Sequence, residues 1–513
     1  VGDGVEVLAG ADPLTAEAPG KVLFVAAATG DDAASGTSWT TAKATTAAAL
    51  AVAPDGAAGA PTFILHEAGT YPGGLAVGGR SGLALVGSVG PSIPYPLGGP
   101  TSVLDATGAA TSVVTVDTSQ DITLVGFELT GGSAVDGGGL LAVGSTPVRV
   151  FRSLVRGNTA SQRGGGVYAE GGDLTLASSR VAANRALAGG GGGLYVNAGS
   201  ARVEDTLFTA NEAGAGGGGI GLVAPVGTVL VFNNLLVGNL AATGGAVAMT
   251  DPGAGTVLRA NTMAWNRALD PAGGGALAFD NPSSGPDPTV VDNVLWHNED
   301  SSVESSLNPG DDLAGPITDT ISTHNDIGEG AVNAGTDISV DPGFTRGFFL
   351  DQARVAPAGP VDAGDLSVAS LFADGQTTDA AGTPDAGQVD LGFHHASGAP
   401  AGSLTAAVDY PAPLVGLAAG QAVTITPRVD GADLGPGHRV AVRTGAGTTA
   451  GVALSAPSGL DPLFTGDSVL ATDNGDGTYT VLVDTTAVAT GTVTLDVYTD
   501  DDPSQLGVGA TGF

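Results

Sequence analysis

The sequence predicts an all-β chain: a parallel β-helix solenoid with about three strands per coil, followed by a C-terminal β-sandwich. Three observations predict it. Two independent markers recur in step about every 27 residues over nearly 200 residues. Each period is filled by short alternating apolar stretches divided by Gly, Asn, Asp and Ser, with no helical spacing. From about residue 403 the stretches become alternating strands spaced as in a sandwich.

The first marker is the apolar residue after each glycine cluster. It falls at Leu140, Val167, Leu194, Ile220, Ala246 and Ala276, at intervals of 27, 27, 26, 26 and 30. The second is an asparagine that closes segments such as SLVRGN, SRVAAN and TLFTAN. It falls at Asn158, Asn184, Asn211, Asn239, Asn266, Asn298 and Asn325, at intervals of 26, 27, 28, 27, 32 and 27. Stretches such as VYAE, DLTLASS and SRVAAN give three strands and three corners per period, one turn of a solenoid whose coils stack at about 4.8 Å. Glycine suits corners that need positive φ or close backbone approach. The recurring asparagine suits an amide ladder, each side chain finding partners on the coils above and below. A second reading gives each Asn only the left-handed turn that this residue tolerates.

The segments GGGVYAE, GGGLYV and SLVRGN resemble the repeats of bacterial right-handed β-helix proteins of the pectate-lyase-like and polymorphic outer-membrane-protein type. VLFVAAATGDDAASGTSWTTA, TAAALAVA and FILHEAGTY resemble the entry strand, cap motif and capping helix that open many such solenoids. DPGF, PVDAGD and TDAAGTPDAGQVDLGFHH resemble the motif that closes secreted members. The resemblance covers about residues 22 to 395 and implies a fold rather than an activity, since such proteins include lyases, adhesins and structural proteins. DNGDGTYTVLVD resembles a hairpin of invasin-like and filamin-like immunoglobulin-fold domains, and its Asn-Gly and Asp-Gly pairs are strong turn formers. The resulting division is an N-terminal extension (1–20), a cap with the first coils (21–100), regular coils (101–345), a closing segment and linker (346–402), and an immunoglobulin-like sandwich (403–513).

Composition narrows the partners. Seventeen basic residues stand against 52 acidic ones, a formal net charge of -35. Such a surface repels phosphate backbones, which excludes nucleic acid, and it suits extracellular water. No cysteine is present, so neither disulfides nor thiolate chemistry is available. No apolar run is long enough to span a membrane.

A lyase would need a carboxylate cluster holding calcium and an Arg or Lys base on neighbouring coils. Asp136, Glu170, Asp173, Glu204, Asp205, Glu212 and Asp251 do not share one register slot. Arg156, Arg180 and Arg185 flank the Asn corner and read as solvated charge. His297 and His324 are 27 apart and are expected to stack one coil apart, while His394 and His395 belong to the closing motif and are expected to pack on the last coil. Trp265 and Trp296 offer either a small stacking surface or cover for a widened coil. No cofactor is required, and calcium is the one to consider first. Asp379, Asp385 and Asp390 place oxygens close together in one Gly-rich loop, and Asp473, Asn474 and Asp476 do so in the sandwich hairpin, with turn formation as the competing role.

These readings predict a non-enzymatic extracellular or cell-surface protein, structural or adhesive, without catalytic residues and with a glycan or surface partner. VEVLA near the N-terminus or LGVGATGF at the C-terminus is expected to add as a strand to a neighbouring copy, joining chains head to tail into a filament or surface layer. The alternative is a calcium-dependent polysaccharide lyase or hydrolase working along the solenoid groove.

Overall fold

The computed structural model describes residues 22–57, 60–87, 102–271, 273–281, 287–300, 312–316, 321–328, 336–344, 348–357, 359–372, 376–395, 404–409, 421–429, 432–433, 440–444, 448–449, 452–455, 469–484, 492–499 and 502–512. The VEVLA segment lies outside them.

Successive coils pile into a parallel β-helix. One coil reads Leu140–Val143, Thr146–Phe151, Leu154–Arg156 and the two-residue strand Thr159–Ala160 before the chain returns to the first wall at Val167–Glu170. Like strands of successive coils pair in parallel and build four sheets. Sheet I has eleven strands, from Val22–Val25 to Ser322–Thr323; sheet II has ten, from Gly69–Pro72 to Asp326–Ile327. Sheet III has nine, from Leu75–Gly78 to Leu313–Ala314, and a narrow sheet IV has six, from Ser133–Ala134 to Arg267–Ala268. Helix α1, Thr46–Val52, covers the entry end; the Thr45 hydroxyl caps it by accepting from Ala48 N, and Ala49 and Leu50 join the core.

Alternation along each strand sends every second residue inward. Within one coil Leu194, Val196, Ala201, Val203 and Phe208 all enter a single core that runs the length of the solenoid. Each of the larger side chains contributes about 2 kcal/mol by leaving water. The glycine triplets follow from the turn into sheet III. Gly191 holds φ at +67°, and a Cβ on Gly192 would lie 2.5 Å from the carbonyl oxygens of Glu212 and Gly218 on the next coil. The register corrects the first marker at its end: Ile220 pairs with Val247 and Val247 with Leu277, so Ala246 and Ala276 occupy the slot before the apolar column.

The recurring asparagines form a directed chain of hydrogen bonds. Asn184 donates from N and Nδ2 to Asn211 Oδ1, at 3.1 and 3.0 Å, and sends its second Nδ2 hydrogen to Val155 O. The same pattern links Asn158, Asn184, Asn211, Asn239, Asn266 and Asn298, and Asn298 Nδ2 donates to Asp312 Oδ1 at 2.8 Å. The left-handed residue at these corners is the one before the asparagine: Ala183, Ala210, Gly238, Trp265 and His297. Asn325 needs correction. It accepts from Asn293 and belongs to a second ladder at the corner between sheets I and II, with Asn234, Asn261 and Asn293, which ends on Asp337. In earlier coils this second column is carried by Ser153, Ser179 and Thr206.

The closing segment does not extend the coils. It folds back over the corner between sheets I and II, where Phe348 and Phe393 pack on Leu207, Leu235 and Val237. Beyond it, two antiparallel sheets enclose a separate core that includes Val423, Ile425, Val442, Tyr479, Val481 and Val497. The sandwich hairpin touches the solenoid, with Arg156 Nη2 donating to Gly475 O at 3.1 Å. The LGVGATGF segment lies in the strand Asp502–Gly512, paired antiparallel with Thr492–Thr499 of its own chain.

Asn211→Ala removes the acceptor for two donors of Asn184, one of the two donors to Asn239 Oδ1 and the donor to Val181 O, inside the core. We expect a loss of about 3 kcal/mol, since unmet buried polar groups cost roughly 1–3 kcal/mol each, measured by urea denaturation against Asn281→Ala on the surface.

Candidate functional site

Sheet III presents an organised polar and aromatic group on the outer surface of the coils. Val167 and Ala169 point into the core, so Tyr168 and Glu170 point out; Leu194 and Val196 do the same for Tyr195 and Asn197. Parallel register sets Tyr168 against Tyr195 and Glu170 against Asn197. The two rings stack, with centroids 5.8 Å apart and planes 7° from parallel. Space for the Tyr195 ring comes from the next coil, where Gly221 takes the tyrosine slot and a Cβ would lie 2.9 Å from the ring.

Arg163, in the loop entering the Tyr168 strand, lays its guanidinium over both rings, 4.8 Å from the Tyr168 centroid and 5.8 Å from that of Tyr195. Asp136, one coil earlier in the equivalent loop, holds it there: Arg163 Nε and Nη2 donate to the two carboxylate oxygens, each at 3.1 Å. That bond raises the Arg163 pKa, fixing its charge. Tyr168 donates to Glu170 Oε2 at 2.8 Å, and Asn197 Nδ2 donates to Glu170 Oε1 at 3.0 Å. Burial, with the bond to Glu170, pushes the Tyr168 phenol up to about 12, and burial also raises that of Tyr195. Tyr168 lies buried beneath the guanidinium, while Tyr195, Arg163, Glu170 and Asn197 remain partly open to solvent. The group therefore offers a ring face, a fixed cation and a carboxylate with two donors on it.

The other residues are placed as follows. Asp379 lies in a turn, where bonding to Thr383 and the Ala381 amide lowers its pKa. Asp385 Oδ2 lies 2.9 Å from His394 Nε2 and accepts from Asp390 N, and the buried Asp390 accepts from Asp362 N and Thr378 Oγ1. Asp473 accepts from Gly475 N, Asp476 from Thr478 N, and Asn474 Nδ2 donates to Thr478 Oγ1 and Thr480 Oγ1. Among the described residues no three His or carboxylate side chains converge as a metal cradle, so no step is derived through calcium. His297 and His324 do not stack: His297 follows sheet II, where it meets Trp265 and Trp296 with centroids 5.3 and 5.5 Å away, whereas His324 sits at the corner between sheets I and II. Trp265 also packs against Phe348 of the closing segment. His394 binds Asn233, well before the last coil, and His395 stacks on Phe349 at 3.8 Å. Tyr168, Tyr195 and Arg163 escaped sequence reasoning, which sought carboxylates in one slot; the usable signal was the 27-residue spacing shared by Asp136 with Arg163 and by Glu170 with Asn197.

Fold and site together define a parallel β-helix protein with an aromatic and cationic patch built on one wall. No family model matches the chain, and no curated protein does. Among solved structures it is similar to the pectate lyase Pel9A, at 16% identity and a TM-score of 0.37, over 72% of this chain and 96% of that one. It is also similar to the pectin methylesterase of Aspergillus niger, at 12% identity and a TM-score of 0.31, over 59% of this chain and 92% of that one. Both are enzymes by name, contrary to the expectation of a non-enzymatic surface module. The C-terminal strand proposed to join copies is already paired within its own sandwich. The expectation of a non-enzymatic surface module is not carried further.

Glu170→Gln removes the charge that opposes ionisation of Tyr168. Its phenol is expected to titrate below about 12 in an ultraviolet tyrosinate titration, with stability changed by less than about 1 kcal/mol.

Proposed function

We propose that the chain is a polysaccharide-cleaving enzyme whose substrate lies across the outer face of sheet III, with calcium assigned no place in the site. The observation that carries this reading is Arg163, held by Asp136 across the stacked Tyr168 and Tyr195 beside Glu170. Each part has a task in glycan chemistry. The Tyr195 ring gives a sugar an apolar face to stack on. The fixed guanidinium binds hydroxyl or carboxylate oxygens. Glu170, aligned by Tyr168 and Asn197, is the group to move a proton at the scissile linkage. An extracellular setting, an immunoglobulin-like sandwich and a glycan partner belong to the same proposal, and the acidic surface favours the first of these.

Pectin and pectate, named by the enzymes of similar fold, are the first substrates to try. Full-length protein should release new reducing ends or unsaturated sugar. Glu170→Gln should lower kcat by about 100-fold or more, and Tyr195→Ala should mainly raise KM. A chain that cleaves none of a broad glycan panel, with or without calcium, or variants as active as the parent, would overturn the reading.

A further inference from the structure

The closing segment is tied to the solenoid by groups of unusual electrostatics. At the corner between sheets I and II, Asp205, Asn233, Ala260 and Asp292 take the same left-handed position on four successive coils. Residues 360–372 and 376–395 run along this column. Its His394 N donates to Asn233 Oδ1 at 2.6 Å, and Asn233 Nδ2 donates back to His394 O at 2.9 Å and to Asp205 Oδ1 at 2.7 Å. Phe393 N donates to Thr262 Oγ1 at 3.0 Å. At Asp292, Gly392 N donates to the main-chain oxygen at 2.8 Å and Asp365 N to Oδ1 at 2.9 Å.

The Asp292 side chain has no exposed surface, and its Oδ2 accepts no hydrogen bond. Arg259 from the preceding coil and Asp365 from the segment meet its carboxylate, and His324 takes the same corner position on the following coil. Arg259 Nε lies 3.6 Å from Asp292 Oδ2, while Arg259 Nη2 lies 3.0 Å from Asp365 Oδ2. One guanidinium thus serves two carboxylates. With both ionised, this buried junction carries a net negative charge; with one proton added it is neutral.

We propose that residues 360–372 and 376–395 form a pH-set strap, latched when Asp292 is protonated and loosened when it ionises, uncovering the part of the apolar stripe of Leu207, Leu235, Val237 and Phe232 that Phe372 and Phe393 cover. The stripe is closed by Phe348 and Phe393 at one side and by Phe372, 5.1 Å from the Phe232 ring, at the other. Burial, reinforced by the Asp365 carboxylate and opposed by the Asp365 amide and Arg259, pushes Asp292 up to about 7. The sign follows from linkage. A carboxyl raised in the closed state and near 3.9 when exposed holds an extra proton only while closed. Closure is therefore strongest below about pH 4, weakens as pH rises to about 7, and is level above that.

The test is hydrogen exchange of the full chain at pH 5 and pH 8, corrected for intrinsic exchange rates, read on the amides of Asp365, Gly392, Phe393 and His394. Protection should fall at least tenfold between these pH values, while amides of the sheet III strand Leu194–Asn197, on another wall of the solenoid, stay unchanged. Asp292→Asn, neutral at every pH, should keep high protection at both. Should that variant not fold, Asp365→Asn removes the second carboxylate and should move the midpoint to lower pH. Equal wild-type protection at the two pH values, an unaltered pH response in Asp292→Asn, or an unmoved midpoint in Asp365→Asn would overturn the proposal.

Discussion

A hydrogen bond from one asparagine amide to the next, repeated along the axis, is the interaction on which the rest of this structure depends. A hollow stack of small residues has little to fix the height of one coil over another, because apolar contacts alone tolerate sliding. The side-chain amide does fix it. The Asn211 side chain accepts twice from the coil before and donates once to the coil after, and its remaining hydrogen meets Val181 O. Every polar atom is met only when the coils are in register, and slipping by one residue would strand four bonds in a dry interior. Register in turn lines up residues that are distant in sequence. Tyr168 lies over Tyr195 and Asp136 beside Arg163 because the amides beneath hold those coils in step.

Charge follows the same geometry. A chain so rich in carboxylates places its few guanidinium groups where they bridge coils. Arg149 meets Asp121, Arg163 meets Asp136 and Arg185 meets Glu212, each pair spanning one turn of the solenoid. Exposed pairs of this kind contribute little individually. Their effect is to hold a cation at a defined place on an acidic surface, and at Arg163 that place lies over two aromatic rings.

Much of this was legible in the residues. The glycine and asparagine markers gave coil length, because each answers a local steric or hydrogen-bonding demand that recurs every turn. What was missed needed knowledge of which corner a residue occupies. Asn325 follows Asn298 by one ordinary interval, yet it belongs to the other ladder; an equal count cannot distinguish two corners of one coil. The second ladder was hidden because Ser153, Ser179 and Thr206 meet with hydroxyls the demand that Asn234 and Asn261 meet with amides. The tyrosine and arginine group is not visible in any one stretch, because only the parallel register brings its rings and guanidinium together from successive coils. The seat of the closing segment could not be counted at all, since Asn233 and His394 are joined by folding back rather than by period.

The two amide chains share a direction, and each finishes on an acidic side chain, Asp312 or Asp337. These two side chains accept as the asparagines do but bring no Nδ2 hydrogen of their own, so the side-chain half of each amide chain ends where its last asparagine meets an aspartate.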